Sequence, residues 1–237
     1  MTALNYAGRR ALHDTRFSPA GLWQLNGASL LDTSGNARNL TLSTGTLLQG
    51  PGFVQDTKVG YFNGNTRLTQ ADAVFNRPGD LTVMFLMQYQ PSGGSYIAPV
   101  SYGVNTGSNH IYFAVGLNSP SNNCIDAFLI NAGTLSFAAS GGAAQSSITH
   151  LGDYNEWVHI AVSKPTATSM KFYLNGDLLH NNTMPAVGTP STLTFNLGGL
   201  QGSFPNFYHG HLASVAYYAT TLSDADIQRE ARRVLGR

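Results

Sequence analysis

The number and spacing of the acidic residues show whether this chain could hydrolyse glycosidic bonds. Hydrolysis of a glycosidic bond needs two carboxylates about 5 to 9 Å apart, one acting as the acid and the other as nucleophile or base. The sequence holds two glutamates: Glu156 opens a predicted strand, and Glu230 lies in a predicted helix. Asp224 and Asp226 belong to the start of that helix. The spacing indicates a protein that is not an enzyme, and glycoside hydrolysis is kept only as the third alternative.

The sequence contains no motif for nucleophilic catalysis or for nucleotide binding. The single cysteine, Cys124, enters an apolar run without a neighbouring base, which is typical of a buried structural thiol. The sequence contains no G-x-S-x-G elbow, no phosphate-binding P-loop and no G-x-G-x-x-G turn. With one cysteine, an internal disulfide framework is excluded.

Two patterns are compatible with metal binding. His209 and His211 are two residues apart, so on a strand they point to the same side, the geometry of a transition-metal pair. No third ligand is near in sequence, which favours solvent exposure or local hydrogen bonds. Asp32 and Asn36 lie in an oxygen-rich turn that is a weak calcium candidate, although Asx-turn bonding explains the same residues. We therefore predict no cofactor, with calcium as the alternative.

Sugar recognition has better support in the residue types. Aromatic rings stack on the CH faces of a pyranose, and neutral amides or imidazoles pair with its hydroxyls. If the solvent face of one sheet is the platform, the best candidates are Tyr112, His159 and Tyr173, with His110 and Asn196 beside them. Ordinary β-sandwiches also carry surface tyrosines and asparagines, so this signal is modest.

The elements that position these side chains are short apolar runs, separated by clusters of Gly, Asn, Ser and Pro. This pattern predicts an all-β fold. The run at 81–87 is apolar on both faces, so we expect a central strand whose outer side is covered. Asn175 and Gly176 predict a type I′ hairpin turn. One amphipathic helix is predicted at 223–235, capped by Ser223. The predicted strands are at 22–25, 59–62, 81–89, 111–117, 125–130, 157–162, 170–174, 193–197 and 212–218.

Alternation along these runs assigns side chains to faces. In 157–163, Val158, Ile160 and Val162 form one face, and Trp157 and His159 belong to the other. The run at 170–174 alternates in the same way. Half-buried antiparallel strands give this pattern.

The amino-acid composition limits the kinds of partner that the chain is expected to bind. Only 11% of the 237 residues are charged, 42% are apolar, and the formal net charge is +1. This balance describes a globular protein and argues against a nucleic-acid partner. The first residues lack the apolar stretch that a signal peptide contains, and no apolar stretch in the chain is long enough for a membrane span. We therefore expect synthesis in the cytoplasm without a signal peptide and no membrane partner.

Six motifs in order resemble the laminin-G-like and concanavalin A-like lectin and glucanase superfamily. They are GLWQL (21–25) with DTSGN (32–36), YFNG (61–64), LTVMF (81–85), EWVHIAV (156–162), MKFYLNG (170–176) and GHLASVAY (210–217). The resemblance implies a two-sheet antiparallel jelly-roll sandwich of twelve to fourteen strands with one short C-terminal helix. That superfamily contains lectins, adhesion modules and viral coat elements as well as catalytic glucanases, so the fold alone does not give the function. With so few carboxylates in the chain, the resemblance implies a binding role.

Residues 1–20 lie outside the strand pattern and are predicted to form an arm, so that 21–237 is one domain. The arm and an aromatic segment at 204–208 are the expected contacts in a homo-oligomer, although that segment could instead fill the mouth of the sandwich. The proposed partner-contact residues are Tyr6, Leu12, Phe17, Phe204 and Phe207.

Two hypotheses follow. In the first, the chain is a non-catalytic lectin-like adhesion protein displayed on the surface of a bacteriophage virion, as a capsid decoration or tail component, and it binds glycans. In the second, it is a purely structural virion protein that contacts other coat subunits and binds no sugar.

Overall fold

The computed structural model describes residues 13, 15–53, 57–75, 79–90, 97–105, 110–117, 125–131, 134–137, 156–183, 194–202 and 207–236. These residues form sixteen strands and one α-helix, α1 (Asp224–Leu235). Strands are numbered in chain order. The first sheet contains β1 (Gly21–Gln24), β3 (Leu48–Pro51), β4 (Lys58–Asn63), β6 (Leu81–Tyr89), β11 (Trp157–Thr166), β12 (Ser169–Leu174), β13 (Asp177–Thr183) and β16 (His209–Tyr218). The second contains β2 (Thr41–Thr44), β5 (Arg67–Gln70), β7 (Ile97–Asn105), β8 (His110–Leu117), β9 (Ile125–Asn131), β10 (Thr134–Phe137), β14 (Phe195–Leu197) and β15 (Gln201–Gly202).

The strand order confirms the predicted two-sheet sandwich. The first sheet runs β13-β12-β11-β6-β16-β4-β3, with β1 also paired to β16. The second runs β10-β9-β8-β7-β14-β5-β2, with β15 paired to β7. Every pairing is antiparallel except β15 with β7, which is parallel. The described residues thus contain more strands than the twelve to fourteen that the resemblance implied.

The main core lies between the sheets and follows the predicted alternation. Val158, Ile160 and Val162 of β11 all point into it and are at most 4% exposed. Near its centre, the indole of Trp23 stacks on the ring of Phe195 with centroids 5.3 Å apart. Burying such side chains between two apolar faces supplies most of the stability of a sandwich.

Helix α1 covers part of the outer face of the first sheet. Met84 of the central strand β6 packs with Ile227, and Leu86 packs with Val234. The prediction that the outer side of 81–87 is covered is therefore confirmed. The covering layer is the C-terminal helix.

The helix occupies the predicted segment and begins after the predicted cap, Ser223. The Ser223 hydroxyl accepts a hydrogen bond from the Asp226 backbone N–H at 3.1 Å, and Gly236 ends the helix at φ 73°. Arg229 is exposed, as expected for a solvent-facing arginine. Arg233 instead turns back and pairs with the fully buried Glu230.

The turn between β12 and β13 is the predicted type I′ hairpin. Asn175 has φ 54° and Gly176 has φ 92°, so both central residues are left-handed. A Cβ on Gly176 would also lie 2.9 Å from the Cβ of Ala231. Glycine is therefore needed here both for the turn and for the close approach of α1.

Part of the predicted arm belongs to the domain. His13 is fully buried, and the backbone N–H of Ala20 donates to the Tyr217 carbonyl at 2.7 Å. The ring of Phe17 lies against Tyr218 at 6.4 Å, with the Arg229 guanidinium 5.7 Å from its centroid. The ring of Phe17 thus packs on its own chain and is half-buried, and its contact with a partner subunit remains a prediction.

Of the other proposed partner contacts, Phe207 is half-buried just before β16, and Tyr6, Leu12 and Phe204 lie outside the described residues. No helix among the described residues combines the length and apolar character needed to cross a lipid bilayer.

Candidate functional site

The five predicted sugar-binding residues do not share one surface. His159 and Tyr173 belong to β11 and β12 of the first sheet. His110 and Tyr112 belong to β8, and Asn196 to β14, all in the second sheet. The expectation of one platform is wrong, because residues of opposite sheets cannot line the same outer face. The side chains of His110 and Tyr112 lie outside what the structure describes.

Burial removes three of these residues from solvent. Tyr173, His159 and Asn196 are all 0% exposed. The Tyr173 hydroxyl donates to Asp224 Oδ1 at 2.7 Å, and Lys171 Nζ reaches the same oxygen at 2.8 Å. Both bonds lower the pKa of Asp224, and the bond from Lys171 has the larger effect. The tyrosine therefore anchors the first turn of α1 and offers no surface to a sugar.

His159 belongs to a buried cluster beneath α1. His13 Nε2 lies 3.4 Å from His159 Nε2, and His13 Nδ1 lies 2.6 Å from the Ser214 hydroxyl. His159 Nδ1 has no hydrogen-bond partner. Burial lowers the pKa of both histidines to about 3; the Arg233 charge acts the same way on each, whereas Glu230 opposes it at His159. We call His13, His159 and Ser214 the histidine cluster.

The histidine cluster has the group types of a serine hydrolase but not the access. All three members are fully buried between β11, β16 and α1. A nucleophile must reach its substrate within about 3 Å. The cluster therefore holds the N-terminal segment on the sheet and cannot attack a bound substrate in this conformation.

The calcium candidate turn is occupied by hydrogen bonds of its own. Asp32 Oδ1 accepts the backbone N–H groups of Leu22 and Ser34, and Oδ2 accepts the Ser34 hydroxyl and the Arg38 N–H. Although burial acts to raise the pKa of Asp32, these bonds lower it. The side-chain amide of Asn36 donates to the carbonyl oxygens of Pro19 and Ala20. The Asx-turn reading accounts for this loop.

A row of rings remains on the outer face of the first sheet, next to the C-terminal end of α1. Successive ring centroids are separated by 6.1, 6.1, 4.9 and 5.6 Å. Except for His211, which is 3% exposed, these side chains are half-buried. We call this set the ring row, and its members in order are Phe53, Trp157, His211, Tyr61 and His209.

The ring row results from the way residues of neighbouring strands pair. Trp157 of β11 pairs with Gln88 of β6, Gln88 pairs with His211 of β16, and His211 pairs with Tyr61 of β4. Paired residues of antiparallel strands point to the same face, so the four side chains form one line across the sheet. On the edge strand β3, a Cβ on Gly50 would lie 2.2 Å from His211 Nε2, so this glycine makes room for the imidazole.

Hydrogen bonds fix the polar groups at one end of the row. His209 Nδ1 lies 3.2 Å from the Gln90 carbonyl oxygen, and His209 Nε2 lies 3.0 Å from the Tyr61 hydroxyl. Both nitrogens of His209 are therefore engaged. The two histidines do lie on one side of β16, as the spacing predicts, and both contact Tyr61. Among the described residues no group of three or more His, Cys, Asp and Glu side chains could hold a metal ion.

His211 differs from His209 because it is buried and incompletely bonded. Its Nδ1 has no hydrogen-bond partner. Burial, and then the charge of His209, lower the pKa of His211, so its imidazole is neutral at neutral pH. The imidazole of His211 is thus a neutral polar ring that contacts the rings of both Trp157 and Tyr61.

The carboxylates do not form a catalytic pair in the described part of the chain. Glu230 is 0% exposed and bound to Arg233, and Glu156 is exposed at the residue before β11. The ring row itself contains no carboxylate. The arrangement can therefore bind a neutral ligand by stacking and hydrogen bonding, and it offers no acid–nucleophile pair.

The alternation of β11 predicts Trp157 on the outer face of the sheet, but it does not predict the ring row. The alternation in β11 and the spacing of His209 and His211 were available signals. Nothing in the sequence shows that Tyr61 and Gln88 lie beside them, because strand pairing joins residues far apart in the chain.

Solved structures share this fold at low sequence identity. Domain 4 of AbnA, a GH43 extracellular arabinanase from Geobacillus stearothermophilus solved with arabinotriose, has a TM-score of 0.72 at 17% identity over 90% of this chain and 98% of that one. The binding domain of botulinum neurotoxin DC, in complex with rat synaptotagmin II, has a TM-score of 0.62 at 16% identity over 92% of this chain and 52% of that one. The chain thus spans about half the length of that binding-domain chain.

We found no curated protein of significantly similar sequence. A sequence model of the concanavalin A-like lectins and glucanases matches residues 62–228, which is most of the chain. The two antiparallel sheets, the order of the motifs and this match agree, and the chain belongs to the concanavalin A-like lectin/glucanase superfamily.

Proposed function

We propose that this chain is a non-catalytic, lectin-like binding module whose ring row binds an uncharged glycan. The observation that carries the proposal is the line of aromatic and neutral polar side chains from Trp157 to Tyr61 on the outer face of the first sheet, where both end members are half-buried. A pyranose ring offers CH faces that stack on indole or phenol rings and hydroxyls that bond to neutral polar atoms.

The length of the row suits a short oligosaccharide. Trp157 and Tyr61 are on strands three positions apart, so their backbones are separated by about 14 Å across the sheet. This distance exceeds the length of one pyranose ring. Leu235 of α1 and Trp157 pack against the same buried apolar cluster, so the C-terminal end of α1 lies near the Trp157 end of the row.

The absence of charge in the row favours a neutral ligand. Its five members are two histidines and three residues without an ionised side chain, and burial lowers the pKa of His211. Recognition of an anionic sugar uses arginine or lysine as a counter-charge. We therefore expect the row to prefer neutral glycans over sialylated or uronic ones.

The structural neighbours support carbohydrate binding as a class. The arabinanase domain was solved with arabinotriose. A second similar structure comes from botulinum neurotoxin type C, whose cell entry depends on interaction with two ganglioside molecules. The type C structure has a TM-score of 0.61 at 18% identity over 92% of this chain and 51% of that one.

A glycan array with the purified chain tests the proposal, followed by titration of any sugar that binds. We expect Trp157→Ala to raise Kd by about tenfold, because a stacking surface is lost. Leu178→Ala is the matched control, since Leu178 is 44% exposed on β13, away from the row. Silence of the array, or equal loss in both variants, would refute glycan binding at this site.

Display on a bacteriophage virion remains a prediction. Mass spectrometry of purified particles tests it, and a chain found in particles but silent on the array would favour the purely structural role.

A further inference from the structure

We propose that Tyr61 offers its hydroxyl oxygen to the ligand only as a hydrogen-bond acceptor, so that the ring row selects a glycan hydroxyl that donates. This inference rests on the proposed function and names the hydrogen-bond polarity of its site. His209 is then a positioning residue, which acts on the ligand through Tyr61. The three groups concerned are the Gln90 carbonyl, the His209 imidazole and the Tyr61 hydroxyl.

The polarity follows from the order of these groups. A carbonyl oxygen only accepts, so His209 Nδ1, which lies 3.2 Å from the Gln90 oxygen, must carry the proton. In a neutral imidazole the other nitrogen then has a lone pair and no hydrogen. Since Nε2 lies 3.0 Å from the Tyr61 oxygen, the phenol must donate to it. The single hydroxyl proton of Tyr61 is therefore committed to His209.

A second bond holds this arrangement in place. The backbone N–H of Gln90 donates to the His209 carbonyl at 3.1 Å, so the two residues are linked in both directions. The ring of His209 also contacts the ring of Tyr61 edge-on, at 5.6 Å. Turning the phenol proton toward a ligand would leave His209 Nε2 without its donor.

The ligand class follows from what a lone pair at this position accepts. A sugar hydroxyl can donate to the Tyr61 oxygen, whereas a carboxylate, a methoxy group or a fluorine at the same place has no proton to give. The site therefore selects an uncharged glycan with a free hydroxyl over Tyr61. Replacement of that hydroxyl by a group with no proton to donate should abolish the contact even when the group is small and polar.

Fluorinated sugars separate the two polarities. The probes are methyl glycosides of glucose, galactose and mannose with their single deoxy and deoxyfluoro analogues, titrated by fluorine and proton NMR at about pH 8, where free imidazole is neutral. For the hydroxyl that contacts Tyr61, we expect deoxy and deoxyfluoro analogues to lose affinity equally, by about tenfold. A deoxyfluoro sugar that binds as well as its parent would overturn the inference while leaving glycan binding intact.

Two variants complete the test. In Tyr61→Phe, parent, deoxy and deoxyfluoro sugars should bind alike, because the oxygen is gone. In His209→Asn, the amide can still donate to the Gln90 carbonyl, but Tyr61 is free to donate outward, so the deoxyfluoro sugar should regain affinity relative to the deoxy sugar. Lack of this recovery in a folded variant would count against the role of His209.

One readout needs no ligand. Nitrogen NMR of the labelled protein reports which ring nitrogen of His209 carries the proton, and we expect Nδ1. A proton on Nε2 would overturn the inference directly. If no sugar in the panel or on the array binds, the proposed function fails and this inference fails with it.

Discussion

Mild acid should destabilise this fold strongly, because the histidine cluster must take up protons. Burial lowers the pKa of His13 and His159 from 6.5 to about 3. Between those values the unfolded chain binds protons that the folded chain excludes, so stability is fully present above about pH 6.5 and falls as the pH drops toward 3. The perturbation is thus a shift from neutral pH to pH 4.5.

The magnitude follows from the two shifts. Each group contributes about 1.4 kcal/mol per pH unit, so two groups give a slope of about 2.7 kcal/mol per unit. Over the two units down to pH 4.5 the loss is about 5 kcal/mol, which is comparable with the whole stability of a small domain. Glu230 and Arg233, the charged groups on α1 that act on the cluster, oppose each other at His159.

Urea denaturation followed by tryptophan fluorescence measures this slope, since Trp23 lies in the core. His159→Phe removes one titrating group but keeps an aromatic ring, and we expect about half of the cluster's slope to disappear. His211 adds to the same trend because burial lowers its pKa too, so the wild-type minus variant difference is the measured quantity. An unfolding free energy that stays flat from pH 7.5 to 4.5 would refute the reasoning.

Three further changes probe individual elements of the fold by the same denaturation assay. Ser223→Ala should cost about 1 kcal/mol through loss of the α1 cap, whereas Ser223→Gly should cost only a few tenths; equal costs would contradict the capping role. Gly176→Ala should cost more than about 1 kcal/mol, because φ 92° is strained for alanine and its Cβ would meet Ala231; a neutral result would contradict the hairpin geometry. Asp32→Ala should cost about 2 kcal/mol by leaving backbone N–H groups without an acceptor, and added calcium should leave the wild-type Tm unchanged; a rise in Tm would restore the calcium reading.

The strands that sequence reasoning found share one property, a run of apolar residues long enough to show alternation or full burial. All nine predicted runs overlap strands of the structure, and β6 has the predicted bounds of 81 and 89. The strands it missed are short, exposed or interrupted. β2 is exposed at all four positions, and β7 contains Pro99 and Gly103, so neither gives the expected pattern.

The site was predicted less well than the fold, for a physical reason. The alternation in β11 correctly put His159 and Trp157 on the outer face of the sheet. It could not show that α1 and His13 cover His159 while Trp157 stays half-exposed. Burial of an outward side chain depends on what packs over the sheet, and that is a long-range contact.

The sequence by itself determined which side of the alternating strands faces the core, where α1 lies, and where the hairpin at Asn175 and Gly176 turns. These features depend on the two-residue repeat of the pleat, on capping groups and on backbone preferences, all of which are local. Only the tertiary structure decided which strands are neighbours and in what register. That decision brings Tyr61 and Trp157, from distant parts of the chain, to opposite sides of one buried imidazole, because strand pairing is set by the packing of the whole sandwich.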